Sequence, residues 1–201
     1  MCGRFVIDYS WAEIHAAMDI IPTTAVGRND PARYNVAPTQ DIGFLCEREG
    51  ERVVQDGRWW LVPFWAKEIP KYPMFNARSE TAPEKSSFRE SFKSKRCLIP
   101  ASGYYEWTKA DDGGKDPHFI HLPDKEPFMF AGLWAHNTNL NITSCTILTA
   151  GAHPQIAELH QRMPIILGEL NWQNWLHGDT LDADAKALLN DNRGGELLSY
   201  R

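Results

Sequence analysis

The second residue of the chain is a cysteine, so removal of Met1 leaves a free amine and a thiol on one residue. A small residue after the initiator methionine generally permits that removal. The α-amino group has a reference pKa of about 7.7–8.0, so part of it is nucleophilic at neutral pH. The thiol, with a reference pKa of about 8.5, is a second nucleophile. This pair predicts reaction with an aldehyde, first as a Schiff base and then as a thiazolidine ring closed by the thiol.

The residues beside Cys2 favour a reactive site over the alternative, a small core residue. Gly3 lets the backbone approach a ligand closely, and Arg4 carries the planar fork that fits a phosphate. The remaining cysteines are far apart in sequence and form no CxxC pair, so we expect them to be reduced, buried and structural; they are Cys46, Cys97 and Cys145.

Three further residues suit positioning or acid–base chemistry, and each has a structural alternative. Asn76 follows a proline-rich stretch and is either a turn or cap residue before a helix or an amide that orients the Cys2 amine. Alternation along an aromatic strand places Glu106 on the same face as Tyr104, either in solvent or as an acid with a raised pKa. His160, near the end of a predicted helix, is either a dipole contact or a general acid–base.

Six residues are candidates for binding nucleic acid. Three arginines lie within two residues of a candidate catalytic position and either bind phosphate or form surface ion pairs: Arg4, Arg78 and Arg162. Trp107 and Trp65 are candidates for stacking on bases, and Thr149 for a hydrogen bond to phosphate. Because eight tryptophans in a β-rich chain are mostly core residues, Trp107, beside Glu106, is the stronger of the two.

Composition predicts a single domain over residues 1–201. The chain is 43% hydrophobic and 23% charged, and its formal charge of −5 gives no global reason to expect nucleic acid. Residues 67–96, however, contain eight basic and four acidic residues, whereas residues 111–201 contain six basic and twelve acidic ones. No stretch approaches the roughly 18 apolar residues of a membrane helix, and no signal peptide is recognisable. We therefore expect a cytoplasmic monomer that has no membrane partner.

Neither a metal nor a cofactor is predicted. His118 and His121 fall on opposite faces of a predicted strand, and no second set of metal-ligating residues accompanies them. The Gly-Gly pairs at residues 113–114 and 194–195 lack the lysine of a phosphate-binding loop and are interpreted as turns.

The spacing of β-rich runs predicts an α+β fold with a mostly antiparallel, barrel-like body. Predicted strands cover residues 3–8, 42–46, 52–61, 96–101, 104–108, 118–122, 128–134, 144–149 and 162–167. Predicted helices begin at a Ser10–Glu13 capping box and at Pro154, with two more at residues 171–176 and 183–189. The first helix would share one face among Ile14, Ala17, Met18 and Ile21. Residues 27–40 are predicted as a loop, and residues 59–73 as irregular because of their prolines.

Several motifs together resemble the SOS response-associated peptidase family, whose members crosslink to abasic sites in single-stranded DNA. The chain opens with MCGRF and continues with YNVAPTQ at residues 34–40, WLVPFWA at 60–66, FNARSE at 75–80, CLIPASGYYEW at 97–107 and HQRMP at 160–164. These stretches run in the family's order over most of the chain. The combination is specific, whereas any one of them could arise by chance.

The resemblance implies roles for four residues. Cys2 matches the family's nucleophile, Asn76 its active-site asparagine, Glu106 its catalytic glutamate and His160 its catalytic histidine. It also implies a thiazolidine crosslink that can be reversed, a competing lyase reaction by β-elimination, and self-removal of Met1. The printed sequence still contains Met1, and with that residue retained no aminothiol exists.

Two other functions stay open on the sequence. The first is an amidohydrolase or peptidase with Cys2 as nucleophile, His160 as base and Asn76 as oxyanion donor. The second is a noncatalytic module that binds single-stranded DNA.

Overall fold

The computed structural model describes residues 2–17, 22 and 27–201, which form two β-sheets and four short helices. The strands are β1 (Phe5–Ile7), β2 (Arg33–Val36), β3 (Asp41–Arg48), β4 (Glu51–Trp59), β5 (Asn76–Arg78), β6 (Arg96–Ala101), β7 (Gly103–Lys109), β8 (Lys115–His121), β9 (Phe128–Asn137), β10 (Ile142–Gly151), β11 (Arg162–Pro164) and β12 (Leu198–Tyr200). The helices are α1 (Trp11–Ala17), α2 (Arg89–Ser94), α3 (Trp172–Leu176) and α4 (Asp182–Leu188).

The larger sheet closes into a barrel, as the sequence predicts. Strand order β10-β4-β3-β6-β9 returns to β10, because β9 and β10 also pair with each other. All of these pairings are antiparallel except β10 with β4. Strand β10 additionally pairs with β5 in parallel and with β11 in antiparallel fashion. Three segments that are distant in sequence therefore lie side by side at one end of β10.

The smaller sheet has the order β12-β8-β7-β1-β2, with β1 antiparallel to both neighbours. Buried aromatic rings connect it to the barrel: the ring of Phe5 on β1 lies 4.9 Å from Trp59 of β4 and 5.8 Å from Phe130 of β9. Tyr104 on β7 contacts Phe130 as well. This packing fixes the start of the chain against the wall of the barrel.

Several local predictions are confirmed. The Ser10 backbone N–H donates to the Glu13 carboxylate, and the Glu13 N–H donates to the Ser10 hydroxyl, which is the predicted capping box. Strands β3 and β4 form the predicted hairpin, with positive φ at Glu49 and Gly50 in its turn. Residues 61–75 contain neither helix nor strand, as their prolines predict. Met18 and Ile21, assigned to the face of the first helix, lie outside the described residues.

Four local predictions are wrong. Residues 33–36, predicted as loop, form β2, because pairing with β1 satisfies their backbone despite a largely polar sequence. Asn76 is not a cap residue before a helix but the first residue of β5, and turns follow at residues 79–88. Residues 154–159 form turns in place of the predicted helix, so His160 does not lie near the end of a helix. Strand β11 is also shorter than the predicted 162–167.

No helix among the described residues is long and apolar enough to cross a membrane.

Arg96 at the start of β6 attaches two helices to the barrel. Its side chain is 2% exposed and donates hydrogen bonds to carbonyl oxygens of Phe92 and Lys93 in α2 and of Trp175 in α3. Hydrogen bonds to charged groups are worth about 1.5–3 kcal/mol each. Arg96→Met is therefore expected to lower the free energy of unfolding by about 3 kcal/mol or more in urea titrations. Arg89→Met, at an exposed site on α2, should change it by less than about 0.5 kcal/mol.

Candidate active site

Cys2 lies fully buried immediately before β1, among residues of the inter-sheet core. The side-chain amide of Asn76 donates a 2.8 Å hydrogen bond from Nδ2 to the Cys2 carbonyl oxygen. The Cys2 thiol points to the carbonyl of Arg4, with Sγ 3.9 Å from that oxygen. Asn76 is placed here because β5 pairs with β10, where Asn76 lies opposite Ile147. A residue 74 positions away thus fixes the backbone of Cys2.

The side-chain carbonyl oxygen of Asn76 is a second polar atom close to Cys2. This atom, Oδ1, is buried and accepts no hydrogen bond from any residue that the structure describes. Unsatisfied buried acceptors are uncommon in native proteins and are often found at functional positions. An acceptor held beside Cys2 fits a role in orienting an amine.

Glu106 is 4% exposed and lies on the inward face of β7, two residues after Tyr104. Burial raises the pKa of its carboxyl above the ordinary glutamate value, and the nearby His160 offsets part of that rise. Burial, followed by the charge of Glu106, raises the pKa of the Cys2 thiol well above its usual value. The two groups are therefore close enough to interact electrostatically. The solvent-facing alternative for Glu106 is therefore wrong, and its role as a general acid–base stays a prediction.

His160 has its ring oriented by the chain that follows it. The Nδ1 atom lies 2.9 Å from the backbone nitrogen and 3.1 Å from the carbonyl oxygen of Arg162, so both hydrogen-bonding groups of that residue face the same ring nitrogen. His160 is followed directly by β11, which pairs with β10, and its charge is felt by Glu106. His160 is not at a helix terminus, so the dipole alternative is wrong.

Arg162 is held by two partners in the structure. Its guanidinium donates two hydrogen bonds to the Glu80 carboxylate, at 2.6 and 3.0 Å, and a further one to the Thr149 carbonyl oxygen at 2.6 Å. The hydrogen bonds from Arg162 lower the pKa of Glu80. The Glu80 side chain is 52% exposed and that of Arg162 only 18%, so the carboxylate covers the guanidinium on its solvent side.

Thr149 does not present a group to solvent. The residue is completely buried, and its hydroxyl donates to the Ala77 carbonyl oxygen. The hydroxyl oxygen of Thr149 also accepts a hydrogen bond from Arg162. A direct contact with phosphate, as predicted from the sequence, does not fit this burial. Thr149 instead positions the guanidinium of Arg162.

The other predicted binding residues are more exposed. Arg78 on β5 lies opposite Thr149 and is solvent-exposed, so it stands near Arg162 across β10. Arg4 is half-buried and donates to the Gly3 carbonyl oxygen. Trp107 is 38% exposed on the outward side of β7. Trp65 lies in the irregular segment 61–75, with its indole N–H 3.4 Å from the Ser86 carbonyl oxygen.

Two residues of this site were not singled out from the sequence. Tyr104 is buried near Cys2 and Glu106. Burial raises the pKa of its hydroxyl well above the usual tyrosine value, and the charges of Cys2 and Glu106 raise it further. Its alternation with Glu106 along β7 was the available signal. Glu80 belongs to the FNARSE motif at residues 75–80, but its ion pair with Arg162 spans 82 positions. No pattern in the sequence reports such a pair.

Comparison with known proteins establishes the family of this chain. The family model described as SOS response associated peptidase (SRAP) matches residues 1–201. The chain belongs to the SOS response-associated peptidase family. It is 36% identical over 206 residues to the abasic site processing protein YoqW of Bacillus subtilis (strain 168), covering 100% of this chain and 92% of that protein. It is 37% identical over 188 residues to YoaM of the same organism, an abasic site processing protein, covering 92% of this chain and 82% of YoaM.

The SOS response-associated peptidase fold is also found among solved structures. The crystal structure of a phage-related protein from Bordetella bronchiseptica superposes with a TM-score of 0.81 at 23% identity, covering 99% of this chain and 93% of that one. At this identity the likeness establishes the fold alone. It confirms the α+β architecture with a β-rich, barrel-like body.

Replacing Glu106 tests how burial affects its titration. Because the folded-state pKa is raised, the folded protein binds more protons than the unfolded chain, and this residue lowers stability as pH rises above about 4.3. Glu106→Gln lacks the buried charge. The free energy of unfolding of the variant minus that of the wild type should therefore increase as pH rises from about 4 to about 8. Urea titrations at several pH values measure the difference. A constant difference across this range would contradict the raised pKa.

Proposed function

We propose that this protein binds single-stranded DNA and traps abasic sites covalently, through a thiazolidine formed by Cys2 after Met1 is removed. The observation that carries the proposal is the arrangement around Cys2, whose carbonyl is held by Asn76 while Glu106 lies within electrostatic reach. The relatives YoqW and YoaM are named as abasic site processing proteins, which supports the substrate class. The protein would then be a DNA-processing enzyme that becomes part of its product.

The first step opens the sugar. An abasic deoxyribose exists mainly as a closed hemiacetal, so a proton must leave the C1′ hydroxyl and another must reach the ring oxygen. His160 can do both, because an imidazole accepts and donates protons near neutral pH. Its Nδ1 is occupied by the backbone N–H and carbonyl oxygen of Arg162, so Nε2 is the atom that would exchange protons with the substrate. The product is the open aldehyde.

The second step joins the Cys2 amine to the aldehyde. The nitrogen adds to C1′ to give a carbinolamine, and the hydroxyl then leaves as water after it receives a proton. Glu106 suits this proton transfer, since burial raises its pKa above the ordinary glutamate value and so favours the protonated carboxyl, which can donate. Asn76 would orient the amine with its buried Oδ1. The product is an imine between Cys2 and the former sugar aldehyde.

The third step closes the ring. The Cys2 sulfur adds to the imine carbon, a C–S bond forms, and the thiol proton ends on the nitrogen. One water is lost over the whole sequence and no oxidant or reductant is required. The raised pKa of the buried thiol keeps it protonated until the imine forms beside it. The amine, and not a thiolate, is therefore the first nucleophile.

This order of nucleophiles separates the proposal from an amidohydrolase. An enzyme that attacks amides with sulfur needs a thiolate, which is favoured by a lowered thiol pKa. Burial and Glu106 both act in the opposite direction on Cys2. The amide N–H of Asn76, the candidate oxyanion donor, is already bonded to the Cys2 carbonyl. Covalent trapping is thus better supported than the hydrolase or a noncatalytic binding module.

The DNA strand would be held by the basic and aromatic residues around this site. Arg4 and Arg78 would contact phosphates, and Arg162 would do so once a phosphate displaces the Glu80 carboxylate from its guanidinium. The buried Thr149 hydroxyl would hold the Arg162 guanidinium in position by accepting a hydrogen bond from it. Trp107 and Trp65 offer exposed indole rings to neighbouring bases.

Three side activities follow from the same intermediates. Hydrolysis of the thiazolidine through the imine reverses the crosslink, with Glu106 again moving protons. Loss of a C2′ proton from the imine expels the 3′ phosphate by β-elimination, which is the lyase reaction. Hydrolysis of the Met1–Cys2 peptide bond, which consumes one water, supplies the free amine.

Replacing Cys2 tests the nucleophile. Cys2→Ala keeps the terminal amine but lacks sulfur, so it should form only a reversible Schiff base with abasic oligonucleotide. A stable adduct of this variant should appear only after borohydride reduces that Schiff base. The wild type should give a stable adduct on the peptide that begins at Cys2, as detected by intact mass and peptide mapping. Cys46→Ala, another buried cysteine, serves as the control and should crosslink normally.

Other outcomes would favour the alternatives. Wild-type protein that binds the oligonucleotide without any adduct would leave only the noncatalytic binding module. Turnover of an added amide substrate would indicate the hydrolase. A stable adduct formed by Cys2→Ala would show that the nucleophile is misassigned.

Replacing Glu80 tests whether its carboxylate competes with phosphate for Arg162. Glu80→Gln should raise affinity for single-stranded DNA by about two- to fivefold at low salt, since an exposed ion pair of this kind is worth about 0.2–1 kcal/mol. Fluorescence anisotropy with a labelled oligonucleotide measures this. Glu90→Gln removes the same charge from α2 and controls for net charge. Equal gains in both variants, or a loss in Glu80→Gln, would contradict competition.

A further inference from the structure

The outward face of the smaller sheet carries a continuous row of aromatic rings. Along this row the ring centroids of Trp107 and Tyr105 are 6.2 Å apart, those of Tyr105 and Phe119 are 5.1 Å apart, and those of Phe119 and Tyr200 are 5.5 Å apart. The row crosses from β7 through β8 to β12, because Tyr105 pairs with Phe119 and Phe119 with Tyr200. We call it the aromatic row.

Both ends of the aromatic row are open to solvent. Trp107 is 38% and Tyr200 is 52% exposed, and the two middle rings are half-buried. Phe119 lies across the backbone of β7 because residue 103 is a glycine: a Cβ there would come within 2.3 Å of the Phe119 ring. Large exposed apolar patches on soluble proteins usually mark an interaction surface.

Two basic side chains lie at one end of this face, on β7 and β8. Lys109 and Lys115 lie directly opposite each other on β7 and β8, an arrangement that is unfavourable without a counter-charge. Both are exposed, and neither forms an ion pair with any residue that the structure describes. No outward-facing position of β7, β8 or β12 is acidic; these positions are Gly103, Tyr105, Trp107, Lys109, Lys115, Pro117, Phe119, His121, Leu198 and Tyr200. One acidic residue lies near this face, because burial, Tyr200 and then Asp8, which follows β1, raise the pKa of Tyr105.

We propose that the aromatic row and its two lysines bind single-stranded nucleic acid beyond the abasic nucleotide, with two or three bases stacked on the rings. The inference rests on the proposed function, which puts the abasic nucleotide at Cys2 and so fixes where the flanking nucleotides of the bound DNA begin. Aromatic side chains on neighbouring strands of a sheet stack bases in this way, and lysines at the rim bind the phosphates. The surface takes any base, because every base has a face on which to stack.

The aromatic row is continuous with the candidate active site. Trp107 is adjacent to Glu106 in the chain, and the Tyr105 backbone N–H donates to the Arg4 carbonyl oxygen, so Arg4 lies beside the row next to β1. Alternation along β7 turns Tyr104 and Glu106 inward and Tyr105 and Trp107 outward. One strand thus separates the reactive groups from a surface suited to the flanking nucleotides. The paired lysines favour a polyanion over an apolar protein segment as the occupant.

The proposal is tested with oligothymidylates that contain a tetrahydrofuran abasic analogue, which cannot react. One oligonucleotide has a single thymidine on each side, and two others are extended by six thymidines on the 5′ or the 3′ side. Wild-type protein should bind one extended oligonucleotide at least about tenfold more tightly than the short one by fluorescence anisotropy. Tyr200→Ala should reduce that ratio by about fivefold or more.

Two further variants separate stacking and phosphate contacts from folding. Tyr200→Ile keeps a residue with strong β-propensity in β12 but removes the aromatic face, and it should lower the ratio as Tyr200→Ala does. Lys115→Ala should reduce the slope of log affinity against log salt by about 0.7 for the extended oligonucleotide. Lys93→Ala, on α2 against the barrel, is the matched control and should leave the slope unchanged.

The outcomes distinguish this surface from the trapping reaction. Equal wild-type affinities for all three oligonucleotides, or a ratio unchanged in both Tyr200 variants, would overturn the proposal. A reactive abasic oligonucleotide that gives no adduct, while the tetrahydrofuran series still depends on length and on Tyr200, would support this surface and contradict covalent trapping.

Discussion

The burial of Cys2 at the junction of the two sheets is the constraint on which the candidate site depends. A chain terminus is normally exposed and poorly ordered unless it is fixed by a strand or by packing. Here β1 is paired on both sides, and Phe5 packs on Trp59 and Phe130 of the barrel. The reactive residue thereby acquires a defined position, because Asn76 can bond its carbonyl only when the sheets are packed.

The same burial determines the chemistry of the neighbouring groups. Removing water raises the pKa of both the Glu106 carboxyl and the Cys2 thiol, since each charged form loses solvation. A protonated carboxyl can donate a proton in forming an imine, and a protonated thiol does not compete with the amine for the aldehyde. An environment that disfavours charge is therefore suited to a reaction that begins at a neutral amine. It is poorly suited to a thiolate enzyme.

Binding of a polyanion by an acidic protein requires that basic groups be concentrated locally. The barrel does this at one end of β10, where Arg78 of β5 and Arg162 of β11 flank the same strand. The smaller sheet does it on the outward face of β7 and β8, where alternation leaves two lysines and no acidic side chain. Glu80 opposes this locally, since it occupies the guanidinium of Arg162. The net charge of −5 therefore says little about either surface.

Local features of the chain were readable from the sequence alone. The capping box, the β3–β4 hairpin and the central strands follow from hydrogen-bonding residues and hydrophobic alternation that act over a few positions. Cys2, Asn76, Glu106 and His160 were identified by residue type and by family motifs, and the family is established over residues 1–201. The errors fall where distant partners decide the conformation. Residues 33–36 and Asn76 became strands because β1 and β10 offered pairing, and His160 lies in no helix because β11 pairs with β10 directly after it. Likewise, only the packed sheets decided that Glu106 is buried, that Thr149 faces Arg162 and that Glu80 covers it, because burial and ion pairs depend on residues brought together across the whole chain.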